Sequence, residues 1–323
     1  MSRKLEAIIL VGGLGTRLDP LTRVNPKPLL PVNGVPLIRI QLERLREAGV
    51  KRVALATAYK PECFTQYLLS NPVEGIEIKY SFEERALGTG GAVREAFEIL
   101  ASSNDGEDEV VILNGDILSE HSLIEQLSDY RNNKAEISLH TINVSNPSRY
   151  GVVLKSEGGL VVEFREKEEE PKSNEINAGC YIIKKRLLSE YLKKGENSSI
   201  ERDFFPEVLR QNIKTIAYLD NSYWVDIGTP ESYFKANLNA VNSLREEYRG
   251  LLGYSSYIDA RAVIGRNVKI SNSIVCKEVE IGDNVTLEKC FLERGAKIAE
   301  GGNYRESYIT QREIIPINFE KDS

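Results

Sequence analysis

Hydrophobic positions in the first two-thirds of the chain follow two spacings. Short continuous apolar runs predict strands, and apolar residues three to four positions apart predict helices. The predicted strands are Ala7–Val11, Arg52–Thr57 and Glu109–Leu113, and the predicted helices are Pro36–Ala48 and Gly91–Ala101. This alternation is typical of an α/β fold with a doubly wound, mostly parallel, Rossmann-like sheet. Ligands of such sheets bind at the carboxyl ends of the strands, where the glycine-rich stretch after Val11 and the carboxylate of Asp116 are both expected.

A different pattern begins near Pro230. Residues Pro230–Tyr248 have the spacing of one amphipathic helix, and Gly250 and Gly253 mark a break after it. Beyond the break, aliphatic residues recur six positions apart, with two five-residue steps, at Ile258, Ile264, Ile270, Val275, Ile281, Leu287, Leu292 and Ile298. Six residues is the period of a parallel β-helix, in which each hexad forms one face of a coil. We therefore predict an α/β domain over 1–235, a linker helix over 236–252, and a β-helix with its tail over 253–323.

Composition and charge narrow the possible partners. The 323-residue chain has a net charge of −6, which argues against sequence-independent binding of nucleic acid. No apolar run approaches the length of a membrane span or of a signal peptide. The four cysteines are far apart and show no CxxC pairing, so we expect buried, reduced thiols and a cytoplasmic protein.

The stretch Gly12–Leu18, with sequence GGLGTRL, fits neither of two familiar phosphate-binding motifs. A dinucleotide fingerprint starting at Gly13 needs Gly or Ala where Leu18 stands, and a P-loop starting at Gly12 needs Gly-Lys where Arg17 and Leu18 stand. Its three glycines still allow backbone N–H groups to approach a phosphate. Arg17 can bind phosphate oxygens in pairs, and Lys27 is restrained between two prolines. A tight turn with a surface arginine explains the loop alone equally well.

Together with more distant motifs, the loop is similar to a known family. Gly12–Leu18 and Pro26–Val32 closely resemble the signature of the sugar-1-phosphate nucleotidyltransferases, or NDP-sugar pyrophosphorylases. The resemblance continues through LGTGGA at 87–92, NGD at 114–116, YGV at 150–152, EK at 166–167, NAG at 177–179 and DIGTP at 226–230. A C-terminal left-handed β-helix is common in this family. The resemblance therefore covers nearly the whole chain and implies a nucleotidyltransferase sheet followed by a short left-handed β-helix.

The resemblance implies a reaction and a metal. In the family, an oxygen of a sugar 1-phosphate attacks the α-phosphorus of a nucleoside triphosphate and releases pyrophosphate, an in-line displacement that depends on positioning and charge neutralisation. It implies Mg²⁺ bound by Asp116 and Asp226, and catalytic roles for Arg17, Lys27 and Asp116. A capping role is the alternative for a lone aspartate at a strand end.

The resemblance also assigns binding residues. The nucleotide would be bound by Leu10, Gly12, Gly13, Gly15, Thr16, Arg17, Gly88 and Thr89. The sugar phosphate would be bound by Gly151, Glu166, Lys167 and Asn177. Glu166 and Lys167 belong to a charged run, for which a solvated loop is the alternative interpretation.

The substrate pair stays open at this point. The segments LGTGGA at 87–92 and SIERD at 199–203 most resemble the mannose-1-phosphate guanylyltransferase branch, which implies GTP and mannose 1-phosphate. Alternatives are a guanylyltransferase for heptose 1-phosphate and a thymidylyl- or uridylyltransferase for glucose 1-phosphate. A non-enzymatic alternative is a regulatory subunit that senses nucleotide sugars. Because no histidine follows His140, we interpret the β-helix as an oligomerisation or regulatory element that supports a homo-oligomer, not as an acyltransferase site.

Overall fold

The computed structural model describes residues 3–83, 85–102, 105–239, 251–253 and 256–319. These residues divide into two compact units. Unit 1 comprises residues 1–13 and 41–224, and unit 2 comprises residues 14–40 and 225–323. The helix predicted over Pro230–Tyr248 is present from Pro230 to Asn239, and the remainder of that prediction, including most of the linker helix and Gly250, lies outside the described residues. The predicted domain limits stay a prediction.

The described part of unit 1 contains ten strands, nine of which form one sheet, with helices between them. Its strands are β1 (Lys4–Leu10), β4 (Arg52–Thr57), β5 (Glu77–Phe82), β6 (Gly106–Asn114), β7 (Ile117–Ser119), β8 (Ile137–Asn143), β9 (Gly151–Lys155), β10 (Val161–Glu166), β11 (Glu175–Lys184) and β12 (Thr215–Leu219). Its helices are α2 (Pro61–Ser70), α3 (Gly88–Ala101), α4 (Leu123–Asn132), α5 (Lys185–Tyr191) and α6 (Phe205–Arg210), with a π-helical turn at Ile200–Phe204. Helix α1 (Leu37–Glu47) and strand β13 (Trp224–Asp226) cross the division between the units.

The sheet has a parallel nucleus with an antiparallel extension. The strand order is β10-β9-β11-β6-β1-β4-β5, and β8 pairs with β11 and β12. Strands β6, β1, β4 and β5 are parallel, whereas β11 is antiparallel to β6, β8 and β9. Successive strands leave β1 in one direction and β6 then returns to its other side, which makes the carboxyl end of β1 a topological switch point. The predicted α/β fold with a largely parallel, doubly wound sheet is confirmed.

Strand β1 begins at Lys4, three residues before the predicted start. Glu6 points into the protein and is fully buried, and it pairs with the guanidinium of Arg52 and the ammonium of Lys185. A charged residue inside a strand interrupts the apolar pattern, although ion pairing satisfies it in the folded chain. The hydrophobic pattern therefore placed the start of this strand three residues too late. Helix α3 likewise begins at Gly88, three residues before the predicted Gly91.

Unit 2 contains a short hairpin and the predicted β-helix. Its strands are the hairpin β2 (Pro31–Val32) and β3 (Val35–Pro36), followed by β14 (Leu251–Gly253), β15 (Ser256–Ile258), β16 (Val263–Ile264), β17 (Lys269–Ser271), β18 (Ile274–Val275), β19 (Glu280–Ile281), β20 (Thr286–Glu288), β21 (Phe291–Leu292), β22 (Lys297–Ile298), β23 (Asn303–Arg305), β24 (Ser307–Ile309) and β25 (Ile314–Pro316). It also contains α7 (Pro230–Asn239) and short 3₁₀ turns at Thr16–Leu18 and Lys27–Leu29.

Each coil of the β-helix is 17 residues long. Parallel pairing places Ile258 beside Val275, and Val275 beside Leu292. The five-residue steps are therefore not irregularities, since each coil contains one of them after two six-residue steps. The corners repeat at the same interval, with left-handed backbone at Asn267 and Asn284, whose side chains hydrogen-bond to each other. Asparagine tolerates this conformation better than most residues.

In the part of the chain that the structure describes, no helix is long and apolar enough to cross a bilayer.

Candidate active site

The carboxyl ends of β1 and β6 approach each other so closely that only glycine fits between them. The Gly115 N–H donates to Leu10 O at 2.9 Å. A Cβ atom on Gly115 would lie 2.4 Å from that oxygen, which no side chain can tolerate. This contact fixes the turn that presents Asp116, whose side chain is half-buried at the edge of the sheet. The sequence-predicted Leu10 and Asp116 are thus brought to the same edge of unit 1.

A buried glutamine that sequence reasoning missed hydrogen-bonds to the backbone of this turn. Gln41 Nε2 donates to the carbonyl oxygens of Asn114 and Ile117, each at 2.9 Å. These two carbonyls flank Asp116, so one amide group fixes both sides of its turn. Gln41 lies on the buried face of α1 beside Leu42. A polar residue on the apolar face of an amphipathic helix was the available signal.

The glycine loop enters directly from β1. Val11 N–H donates to Ala56 O of β4 at 3.0 Å. At Gly12, a Cβ atom would lie 3.2 Å from Ala58 Cβ and 3.6 Å from Glu83 Oε1, which leaves little room for a side chain. The Glu83 carboxylate accepts a hydrogen bond from Leu87 N–H at 3.1 Å, and burial raises its pKa. Gly13 has open space around it, so its backbone is accessible from solvent.

The LGTGGA segment packs tightly against the chain around Ser198. Gly88 has φ of +71°, and a Cβ atom there would lie 2.4 Å from Ser198 O. That carbonyl accepts from Gly90 N–H at 2.8 Å, and Ser198 N–H donates to Leu87 O at 2.9 Å. The glycines therefore allow a close approach between two parts of the backbone, and the Gly88 residue itself is exposed.

Thr89 links this turn to Glu201. Its hydroxyl donates to Glu201 Oε2 at 2.7 Å and accepts from Ile200 N–H at 2.9 Å. Ser199 Oγ donates to the same Oε2 at 2.9 Å and caps the π-helical turn. Sequence reasoning named Thr89 as a nucleotide-binding residue but gave Glu201 no role. The contact shows that the 87–92 and 199–203 segments form one structural feature.

Gly151, Glu166 and Lys167 come together at one edge of the sheet. Gly151 lies directly opposite Glu166 in the β9–β10 ladder, and a Cβ atom on Gly151 would lie 2.8 Å from Glu166 Oε2. Lys167 has φ of +55° and its N–H donates to Tyr150 O at 3.1 Å. Its ammonium lies 3.3 Å from Glu166 Oε1. Within the charged run, a carboxylate and an exposed ammonium therefore lie side by side.

Asn177 lies at an irregularity in β11, where pairing with β8 shifts register. Its Nδ2 donates to Tyr181 Oη at 2.8 Å, and its Oδ1 accepts from Gly179 N–H at 3.0 Å. Gly179 has φ of +73°, and a Cβ atom there would lie 2.3 Å from Ile117 Cδ1. The NAG motif is thus a local bend that holds the Asn177 amide in one orientation.

In unit 2, the second half of the glycine loop forms a compact turn. Gly15 has φ of +63°, and its carbonyl accepts from the Thr22 hydroxyl at 3.0 Å. The following turn, Thr16–Leu18, leaves Arg17 exposed. A Cβ atom on Gly228 would lie 3.2 Å from Arg17 Nη2, so the guanidinium lies beside the DIG motif.

Lys27 and Asp226 form an ion pair within unit 2. Lys27 is buried, and its Nζ lies 3.7 Å from Asp226 Oδ1. Gly228, with a hypothetical Cβ 3.4 Å from both Asp226 carboxylate oxygens, brings Arg17 close to the same group. Two cations and one carboxylate, far apart in the sequence, therefore share one place. This arrangement suits a polyanion such as a triphosphate.

The two aspartates have the chemistry that a hard divalent cation requires. Mg²⁺ takes oxygen ligands, commonly one or two carboxylates together with substrate phosphates. Asp116 and Asp226 are both half-buried carboxylates at strand ends. Among the described residues, no three His, Cys, Asp or Glu side chains cluster as a metal site. Each aspartate by itself offers the carboxylate oxygens that such a cation prefers.

A family profile described as nucleotidyl transferase matches residues 6–243. The chain belongs to this nucleotidyl transferase family. Its members generally use a divalent metal and bind a nucleoside triphosphate and a sugar phosphate. The resemblance stated from the motifs is thereby confirmed.

Individual relatives in the family support the comparison. A mannose-1-phosphate guanylyltransferase from Mycobacterium tuberculosis is 34% identical over 303 residues, which cover 93% of this chain and 83% of the relative. The crystal structure of HddC from Yersinia pseudotuberculosis complexed with GMP-PN is 28% identical, with a TM-score of 0.60 over 72% of this chain and 98% of that chain. A putative glucose-1-phosphate thymidylyltransferase from Bacillus anthracis shares the fold, with a TM-score of 0.67 at 24% identity over 76% of this chain and 100% of that chain.

Proposed function

We propose that this nucleotidyl transferase transfers a GMP group from GTP to mannose 1-phosphate, forming GDP-mannose and pyrophosphate. The observation that carries the proposal is the 34% identity to a protein named mannose-1-phosphate guanylyltransferase over 93% of this chain. The match extends through the β-helix as well as the α/β unit. Transfer of a nucleotidyl group to a sugar phosphate also agrees with the cationic and polar groups described above.

The chemical step needs alignment and charge neutralisation more than proton transfer. A phosphate oxygen of the sugar phosphate forms a new bond to the α-phosphorus, and the bond from that phosphorus to the bridging oxygen breaks, so pyrophosphate leaves with the electron pair. The attacking phosphate is already an anion near neutral pH, so no general base is required. We propose that Arg17 and Lys27 neutralise the phosphates, and that the backbone at Gly12, Gly13 and Gly15 contacts them.

The remaining assignments concern mainly residues of unit 1. The sugar phosphate would be held by Lys167, and the sugar hydroxyls by Glu166, Asn177 and the backbone at Gly151. Carboxylate and amide groups can both make paired hydrogen bonds to neighbouring hydroxyls. The nucleoside would be bound by Leu10, Gly88, Thr89 and the Thr16 backbone.

We propose Mg²⁺ as the divalent metal, with Asp116 and Asp226 as its protein ligands. When bound, it would neutralise phosphate charge and favour departure of pyrophosphate. Chelation with EDTA should abolish turnover, and added Mg²⁺ should restore it. The variant Asp116→Ala should lose turnover while keeping the wild-type melting temperature, because the side chain is at the sheet edge. Asp108→Ala, which changes an exposed aspartate in the strand that precedes Asp116, is the matched control and should stay active.

A substrate matrix tests the proposal. Purified protein with Mg²⁺ is incubated with each of GTP, UTP, dTTP and ATP in combination with mannose, glucose and heptose 1-phosphates, and pyrophosphate is measured. The expected result is release from GTP with mannose 1-phosphate at a rate at least about tenfold above other pairs. Preference for heptose 1-phosphate or for dTTP or UTP would replace the substrate assignment. Release from no pair would refute enzymatic activity and favour a regulatory subunit that binds nucleotide sugars.

Homo-oligomerisation through the β-helix is part of the same proposal. In its first coil, Val263 and Ile264 are 64% and 39% exposed, which is high for aliphatic residues. Light scattering should show an oligomer that Val263→Glu dissociates. A wild-type monomer at micromolar concentration would refute this part. A cytoplasmic location is proposed because the reaction consumes a nucleoside triphosphate.

A further inference from the structure

The hairpin that follows Lys27 is held by residues of α7 and the β-helix, all within unit 2. The chain runs from the buried turn Lys27–Leu29 into β2, reverses at Asn33-Gly34 and returns as β3. Asn33 and Gly34 have φ of +47° and +78°, the positive pair that a tight two-residue hairpin turn requires. The hairpin is therefore short and tightly turned, and Lys27 lies in the turn just before its first strand.

Helix α7 makes two hydrogen bonds to this hairpin. The Asn33 N–H donates to Asn237 Oδ1 at 2.9 Å, and both residues are buried. Tyr233 Oη donates to Pro31 O at 2.7 Å. The same helix follows Asp226 by one short turn, through the Gly228 and Thr229 capping bonds to Ser232. One helix thus contacts the hairpin that follows Lys27 and begins just after Asp226, with which Lys27 pairs.

The β-helix supports α7 and touches the tip of the hairpin. The Tyr233 ring is fully buried and packs edge-on against Phe291, with ring centroids 5.7 Å apart, and Phe291 stacks on Tyr308 in the next coil. In the first coil, Tyr257 Oη lies so close to Gly34 that a Cβ there would be 2.5 Å away. The contacts form a continuous path from the β-helix to the hairpin.

We infer that the β-helix is a positioning element for Lys27, acting through Tyr233, Tyr257 and Asn237. These three are positioning residues, since none of them is assigned to a substrate. The inference goes beyond the oligomerisation or regulatory role expected for the repeat, and it rests on the proposed function only for the kinetic consequence. It also gives events at the β-helix, such as assembly or ligand binding, a physical route to the Lys27 ammonium.

The test measures the exposure of Lys27 directly, so it does not depend on turnover. The native full-length protein is acetylated with a water-soluble ester, and mass spectrometry follows Lys27 against Lys193, whose side chain is 77% exposed. Loss of one hydrogen bond in Tyr233→Phe should speed Lys27 acetylation by about fivefold relative to Lys193. Gly34→Ala should speed it by about tenfold, because it adds a clash with Tyr257 and strains a left-handed residue.

A double variant isolates the contact between the hairpin and the first coil. Without Oη, the nearest Tyr257 atom to the new Cβ is Cζ at 3.5 Å, an ordinary contact. Gly34→Ala with Tyr257→Phe should therefore recover part of the protection that Gly34→Ala alone loses. Leu287→Ala is the matched control, because it removes a fully buried side chain from the β17-β20-β23 sheet of the β-helix, a different sheet from that of Tyr257 and Phe291. It should leave Lys27 within about twofold of wild type below its melting temperature.

The outcomes separate the inference from the proposed function. Unchanged Lys27 acetylation in both Tyr233→Phe and Gly34→Ala would overturn the inference, as would equal acceleration in Leu287→Ala. If Gly34→Ala does not fold, Tyr233→Phe decides alone. Where the wild type releases pyrophosphate, kcat should fall in Tyr233→Phe with an unchanged KM for the sugar phosphate. Absence of turnover in the wild type would refute the proposed function and leave the acetylation result standing.

Discussion

The two histidines of this chain should make its stability fall steeply with acid well before its carboxylates protonate. His121 and His140 are both buried in unit 1, and their rings stack with centroids 3.8 Å apart. Burial lowers the pKa of His140 to about 4, and burial together with the neighbouring His140 and Arg44 lowers the pKa of His121 well below its usual value. The folded state therefore holds both rings neutral.

Hydrogen bonding shows why neither ring accepts a proton readily. His121 Nδ1 lies 3.2 Å from an Arg44 nitrogen, which is a cation and a donor, so Nδ1 must be an acceptor. His121 Nε2 consequently donates to Gln126 Oε1 at 3.1 Å. His140 Nε2 donates to Asp220 O, and its Nδ1 has no hydrogen-bond partner among the described residues. Protonation of His121 would turn Nδ1 into a donor that faces the Arg44 cation. Protonation of His140 would leave a buried Nδ1–H without an acceptor among the described residues.

The magnitude follows from linkage. The pKa of His140 is depressed in the folded state, so its contribution is present above pH 6.5 and is lost as pH falls from 6.5 toward 4. A difference from 6.5 to about 4 corresponds to about 3 kcal/mol at ~1.4 kcal/mol per pH unit. His140 alone should lower the free energy of unfolding by about 1 kcal/mol between pH 6 and pH 5, and His121 should add to this fall in the same direction. In His140→Phe, which keeps a flat ring, the fall should be smaller than in the wild type by about the His140 share.

Urea unfolding followed by tryptophan fluorescence measures this quantity for unit 1. Trp224 is the single tryptophan of the chain, and its indole packs edge-on against Tyr150 and donates to Ala178 O. Tyr218→Phe is the control. Burial raises the pKa of Tyr218 to about 12, so this side chain does not titrate between pH 7 and pH 5. A wild-type stability that is flat from pH 7 to pH 5 would refute the reasoning. So would a His140→Phe variant with the full wild-type slope.

Substitutions at three positions test the contacts around the candidate site. Gln41→Leu should lower stability by about 2 kcal/mol and reduce turnover, because two buried carbonyls lose their donor; unchanged values in urea unfolding and pyrophosphate release would contradict it. Thr89→Val should lower the free energy of unfolding by about 2 kcal/mol and weaken nucleotide binding, because Glu201 loses the Thr89 hydroxyl donor. Thr89→Ser, which keeps the hydroxyl, should restore both. Calorimetric titration with nucleotide measures the affinity, and equal affinity in the wild type and both variants would count against the link to Glu201. Gly115→Ala should cost about 3 kcal/mol, since its Cβ would meet Leu10 O, and a thermal melt like the wild type's would show that the backbones can separate.

Local periodicity predicted the elements that repeat or alternate. Strand Arg52–Thr57 has the predicted bounds, and the hexad positions from Ile258 to Ile298 lie on the strands of the β-helix. Such patterns are readable because the same burial requirement recurs at a fixed spacing. The glycine motifs were also readable as positions of close approach, although the partner at each one was not. Gly88, for example, meets Ser198, more than one hundred residues later.

By itself, the sequence determined the class of fold, the family and the residue types from which a phosphate site can be built. Tertiary structure decided which of these residues lie in contact. Lys27 reaches Asp226, Thr89 reaches Glu201, and residues 14–40 join the C-terminal unit rather than the sheet they interrupt. A single sequence carries no periodic signal for such pairs, because each contact occurs once and depends on long-range packing. Two buried polar side chains, Gln41 under the Asp116 turn and Asn237 against the hairpin after Lys27, are visible in the sequence only as polar residues at positions that the folded chain buries.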